Sequence, residues 1–95
     1  MQNKYVLIIH EVSNFKAWKQ IFDDAAAIRK KAGEISYQIL SCETNPGKIV
    51  HFSAWLSLNK ARRFFESKKL VDIRTKAGVT APDFIYLEQL EKGFL

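Results

Sequence analysis

Two histidines, His10 and His51, are the residues of this chain best suited to proton chemistry. Each sits in an apolar, β-favouring run, "YVLIIHEV" and "KIVHFSAWL". Imidazole titrates nearest to neutral pH, so it serves as general acid or base without a large perturbation. Tyr86 adds a phenolic donor for a developing oxyanion. Trp55 and Phe84 add flat rings for stacking, and Ser53 a hydroxyl. Such a set suits proton abstraction from a phenolic or β-dicarbonyl compound, followed by cyclisation or direct reaction with oxygen. Each histidine has a plainer explanation, a polar strand residue bonded into the structure. His10 stands near a strand end, where the turn or the helix cap is within reach.

Other chemistries find less support. Cys42 is the single cysteine, so no internal disulfide forms, and it reads as a small packing residue rather than a nucleophile. Two histidines and one cysteine, widely separated, give no metal-ligand spacing. No cofactor is expected. The four glycines are isolated and form no phosphate cradle. Haem stays open, since an imidazole is a possible axial ligand, yet no second element supports it. Asp23 and Asp24 are neighbours on a helix and do not share a face, so they read as solvated charges.

The formal charge is +5. The basic residues, Arg29 and Arg74 among them, fall in helical segments between apolar positions and read as solvated outer faces. No helix-turn-helix, zinc finger or RNA-binding sheet motif accompanies them, so no nucleic acid is expected. No apolar run approaches the ~18 residues of a membrane span. The start "MQNKYVLIIHEV" lacks a signal-peptide layout, which makes the cytoplasm the default location and leaves no role for a membrane.

The elements that must position these groups read in order. Residues 4–12 form a strand with two largely apolar rows, Tyr5, Leu7, Ile9 and Val6, Ile8, Val12. Ser13 or Asn14 caps a helix whose stripe runs Phe15, Trp18, Phe22, Ala25, Arg29, Ala32, and Gly33 ends it. Strands at 34–43 and 48–56 flank "TNPGK", a type II turn signal with Gly47 at the positive-φ position. Ser57 or Asn59 starts a second helix with Phe64 and Phe65 inward, broken at Ser67 and closed by Gly78. "GVTAPD" reads as a connector, and residues 83–90 as the last strand. The order β-α-β-β-α-β over residues 1–95 is that of one α+β, ferredoxin-like domain with a four-stranded antiparallel sheet.

Helices cover one face of such a sheet, yet three strands are apolar in both rows. The second face must bury against something, and a second copy of the chain is the economical partner. A cavity is then expected between the two sheets. Val50, Phe52 and Ala54 suit the helix-packed face; His51, Ser53 and Trp55 suit a cavity with a few polar groups. The same alternation sends Phe84 and Tyr86 to the cavity, with Ser36 and Gln38 from the second strand, and His10 if Leu7 and Ile9 face the helices. Catalysis requires an enclosed void faced by His10 or His51. If both imidazoles point to solvent or into the helix layer, the enzyme reading loses its only general base.

The chain also resembles a known group. "HEVSNFKAWKQIFD" (His10 to Asp23), "AGEISYQIL" (Ala32 to Leu40), "ETNPGKIV" (Glu43 to Val50), "AWLSLNKARRFFES" (Ala54 to Ser67) and "KAGVTAPDFIYLE" (Lys76 to Glu88) look like segments of the dimeric α/β barrel superfamily. Its small antibiotic biosynthesis monooxygenase-like members are the nearest in character. The resemblance implies a homodimer joined through its sheets. It spans cofactor-free oxygenases, polyketide-type cyclases, isomerases, haem-handling enzymes and proteins of no known activity. The leading expectation is a ligand-binding module for a small apolar or aromatic molecule. The alternative is a cofactor-independent monooxygenase or cyclase using His10 and His51 as acid and base, with Ser53, Trp55, Phe84 and Tyr86 lining the site.

Overall fold

The computed structural model describes residues 3–95, without the side chains at 80 and 81. Its elements run β1 (Lys4–Val12), α1 (Phe15–Asp24), α2 (Ala26–Ala32), β2 (Glu34–Cys42), β3 (Asn45–Trp55), α3 (Leu58–Phe65), α4 (Lys68–Lys76) and β4 (Val79–Glu88). The strands form one antiparallel sheet in the order β2-β3-β1-β4. This is the ferredoxin-like order, with both helical segments divided in two. Among the described residues no helix is long and apolar enough to cross a membrane.

Local chemistry explains most boundaries. Asn14 caps α1 by accepting from Ala17 N at 3.1 Å. Ser57 caps α3 and Ser67 caps α4 in the same way, at 3.1 and 3.3 Å. Gly33 has φ 123° and turns the chain from α2 into β2. The break at Ala25 has no glycine or proline to announce it. There the Ala25 amide is shared between Ile21 and Phe22 carbonyls.

Two expectations about turns fail. The hairpin turns at residues 43–44, and Pro46 and Gly47 already belong to β3. Gly47 is not among the positive-φ glycines. It gives room instead: a Cβ there would stand 3.3 Å from the Val12 carbonyl oxygen, a tight contact that a small shift would have to relieve. The segment read as a connector is likewise the start of β4, an edge strand that accommodates Pro82 beside a shift in register between Ile9 and Glu11 of β1.

Packing decides which strand row faces the helices. Val6, Ile8, His10 and Val12 are buried, as are Ile49, His51, Ser53 and Trp55. Two clusters lie on them. One joins Val6, Ile8 and Trp55 to Ala61, Phe65 and Leu70 of α3 and α4; the other joins Val12 and Ile49 to Trp18 and Phe22 of α1. The opposite rows, with Leu7, Ile9, Val50 and Phe52, form a face left half-buried within one chain. On it the Tyr5 and Phe52 rings stack at 5.2 Å.

Candidate functional site

The histidines do share a face, as their alternation predicts, but it is the helix-covered one. Register puts Ile8 opposite His51 and His10 opposite Ile49, so the two imidazoles lie diagonally across the central strands. The face assignment from sequence is therefore reversed. It assumed that polar side chains seek the open face. Here they are satisfied inside instead. Trp55 Nε1 donates to Ser53 Oγ at 2.8 Å, and His51 Nε2 lies 2.7 Å from Glu34 Oε2. A broad open trough of about 800 Å³ does mark the other face, with Ser36 and Gln38 on its wall, but neither imidazole reaches it.

The helix layer is hollow beside the histidines. A cavity of about 70 Å³ lies between sheet and helices, bounded by Ile8, His10, His51 and Phe84 from the strands. Trp18 and Phe22 of α1, Leu70 and Ile73 of α4, and the side chains of Arg29 and Arg74 complete most of its wall. Both imidazoles thus point into the helix layer, the arrangement expected to cost the enzyme reading its base, but they border a cavity there rather than close packing. Of the six candidate side chains, His10, His51 and Phe84 reach the cavity. Ser53 and Trp55 do not: Trp55, 0% exposed, is packed core. Tyr86 lies under Arg62, whose guanidinium stands 4.5 Å from its ring. Burial, then Glu66, pushes that phenol up, so it stays protonated at neutral pH. Cys42 sits half-buried at the hairpin tip beside Thr44, neither core nor cavity.

His10 is 6% exposed, and neither of its ring nitrogens has a hydrogen-bond partner among the described residues. The Trp18 ring packs on it at 5.1 Å. A register shift in the β1–β4 pairing flanks it, a common device for aiming a side chain at a site. Its pKa falls from 6.5 to about 4, through burial first, then the charges of His51 and Arg74. A neutral nitrogen, open as a hydrogen-bond acceptor though only weakly basic, thus faces an apolar void at neutral pH.

His51 is placed differently. Glu34 takes His51 on one oxygen and the Arg29 guanidinium on the other, with all three side chains buried. Arg29 also donates to the Phe22 carbonyl at 3.1 Å and stacks on the Phe22 ring at 3.6 Å. Arg29 and Arg74 therefore leave the solvated set. Arg74 donates to the Phe65 carbonyl at 2.8 Å and stands 5.1 Å from the Phe84 ring. Sequence reasoning passed over Glu34, Arg29 and Arg74 as site residues. Only Arg29 left a sign, a cation on the inner stripe of its helix. Among the described residues no three His, Cys, Asp or Glu side chains cluster as metal ligands.

No family model and no curated protein matches the sequence. Solved structures do match the fold. SnoaB, a cofactor-independent oxygenase from Streptomyces nogalater, superposes with a TM-score of 0.77 over 97% of each chain at 12% identity. A structure described as a "putative antibiotic biosynthesis monooxygenase" from Caulobacter crescentus CB15 gives 0.68 over 95% of this chain and 92% of its own at 17% identity. One of the same description from Deinococcus radiodurans gives 0.68 over 97% of each chain at 16% identity. The chain thus has the fold of the antibiotic biosynthesis monooxygenase-like proteins, in line with the resemblance of its motifs. Fold alone assigns no reaction.

Proposed function

Taking that shared fold as the premise, we propose that the protein binds a small, largely apolar hydroxy- or enol-bearing molecule between sheet and helices, and oxygenates it without a cofactor. One observation carries the reading: the buried His10 imidazole, unpartnered on both nitrogens and facing an apolar cavity. An orphaned buried acceptor costs about 1–3 kcal/mol, and a ligand hydroxyl supplies the missing partner. Arg74 favours the anion left when that proton departs, a charge that also depresses His10. The activated carbanion or phenolate then gives up electrons to dioxygen directly. For an anthrone, the CH₂ becomes C=O, one O₂ is consumed and one water leaves.

The volume, about 70 Å³, is under half the ~150 Å³ of an engineered cavity that binds benzene. The void therefore lodges the reacting edge of such a molecule, and the remainder lies over the half-buried rim of Ile21, Ile73 and Arg74. The same small volume favours a second reading, a non-catalytic module that holds a small ligand. Oxygen uptake on an anthrone in metal- and flavin-free buffer separates the two. Uptake of one O₂ per quinone formed supports oxygenation. Binding with no uptake supports the module.

The assembly follows from the open face. Leu7, Ile9, Phe52 and Leu87 form a continuous apolar surface on one side of the sheet. A second copy laid on it gives a homodimer, the barrel expected from the sequence. Light scattering at micromolar concentration is expected to give about twice the 11.0 kDa chain mass, and a clean monomer refutes the pairing.

A further inference from the structure

We propose that Glu34, clamped by Arg29, is a positioning residue that fixes the His51 proton on Nε2 and leaves Nδ1 as the base of the cavity, with His10 the neutral acceptor beside it. The proposal rests on the cavity being a reaction site, as argued above. Three observations carry it. His51 Nε2 and Glu34 Oε2 are 2.7 Å apart, and a carboxylate held by a guanidinium only accepts, so the ring proton belongs on Nε2. Nδ1 is then the ring's one lone pair, on a side chain that lines the cavity.

The clamp is held at both ends. Gly33, whose left-handed backbone ends α2, brings Glu34 back under Arg29 only five residues on. Arg29 is held in turn by the Phe22 carbonyl, the Phe22 ring and the Tyr37 ring. The Phe22 ring edge also abuts the His51 ring at 4.9 Å and 90°. Buried ion pairs are seldom the cheapest way to stabilise a fold, since apolar side chains of like volume do as well or better. A buried Arg–Glu–His ladder ending at a cavity is better explained by what it does to the imidazole.

The two histidines then divide the work. His10 has no carboxylate and accepts a hydrogen bond. His51 takes the substrate proton on Nδ1, becomes doubly protonated, and has that charge balanced by Glu34. The substrate keeps the electron pair as its anion. This is the division expected when neighbouring titratable groups are given opposed environments.

Nitrogen-15 NMR of histidine in the full parent chain at neutral pH tests the first part without any ligand. The expected spectrum has His51 protonated on Nε2 and bare on Nδ1; protonation on Nδ1 overturns the proposal. Glu34→Gln, its fold checked by circular dichroism, is expected to disturb that tautomer and to lower kcat on an anthrone about 10- to 100-fold with KM little changed. Glu34→Asp keeps the carboxylate and is expected to retain the tautomer and most of kcat. A folded Glu34→Gln protein with parental tautomer and kcat overturns the proposal. Should Glu34→Gln fail to fold, the parent and Glu34→Asp spectra decide it. A parent that turns over no anthrone refutes the oxygenase reading, while the tautomer still decides the role of Glu34.

Discussion

Arg29→Leu is expected to destabilise the protein by about 3–5 kcal/mol, the usual cost of stranding one partner of a buried ion pair. Glu34 would keep its place with His51 alone, inside a region where Arg29 is only 5% exposed. Arg29 also gives up its donation to the Phe22 carbonyl and its stacking on the Phe22 ring. For a chain of 95 residues the whole stability is about 5–14 kcal/mol, so the loss is a large fraction of it. Urea unfolding measures it as a fall in midpoint at constant slope. Replacing both Arg29 and Glu34 by leucine is expected to cost less than the two single changes together, because neither charge is then left alone. A loss under about 1 kcal/mol for Arg29→Leu would mean the pair is solvated, against its burial here.

His10→Leu is expected to act in the opposite direction on stability and to lower activity. Leucine matches the imidazole in volume, suits an apolar wall and leaves no unpartnered nitrogen. Water entering the void offsets part of the present penalty, so the gain at neutral pH is about 1 kcal/mol, or about 4–8 °C in Tm. The difference widens in acid. Unfolded His10 takes up a proton near 6.5, whereas folded His10 waits until about 4. Between those values the unfolded chain binds the extra proton, so stability falls as pH falls and levels off below about 4. The window corresponds to at most about 3–4 kcal/mol, from 1.36 kcal/mol per pH unit. His10→Leu is expected to flatten that part of the stability–pH curve. Equal acid sensitivity in parent and variant would contradict the placement of His10.

The fold was largely legible because each signal had one physical meaning. Asn14, Ser57 and Ser67 cap helices by accepting backbone N–H groups, and Gly33 and Gly78 hold positive φ where helices end. The grouping of His10, His51, Ser53, Trp55, Phe84 and Tyr86 on one face also followed from the two-residue period of strands. Which face that was did not follow. Both rows of β1 are apolar, so alternation separates them without orienting them. The decision belongs to tertiary packing, as Trp18, Phe22 and Phe65 cover the even row. Ser53 and His51 misled because their partners, Trp55 and Glu34, lie on the same covered face.

The ladder was hidden for another reason. Arg29 and Glu34 look like ordinary helix and strand-end charges, and only the turn at Gly33 folds one onto the other. The break at Ala25 and the early start of β4 left no sequence mark, since alanine is a good helix former and Pro82 usually interrupts strands.

Oxygen consumption on an anthrone, measured for the parent chain and for His10→Leu in cofactor-free buffer, bears most directly on the role of the cavity. Because His10→Leu is expected to be at least as stable as the parent, lost activity cannot be laid to unfolding. Uptake by the parent, reduced about 10- to 100-fold in His10→Leu because the ligand hydroxyl loses its acceptor, is the expected result. Equal uptake by both proteins, or uptake by neither, would contradict it.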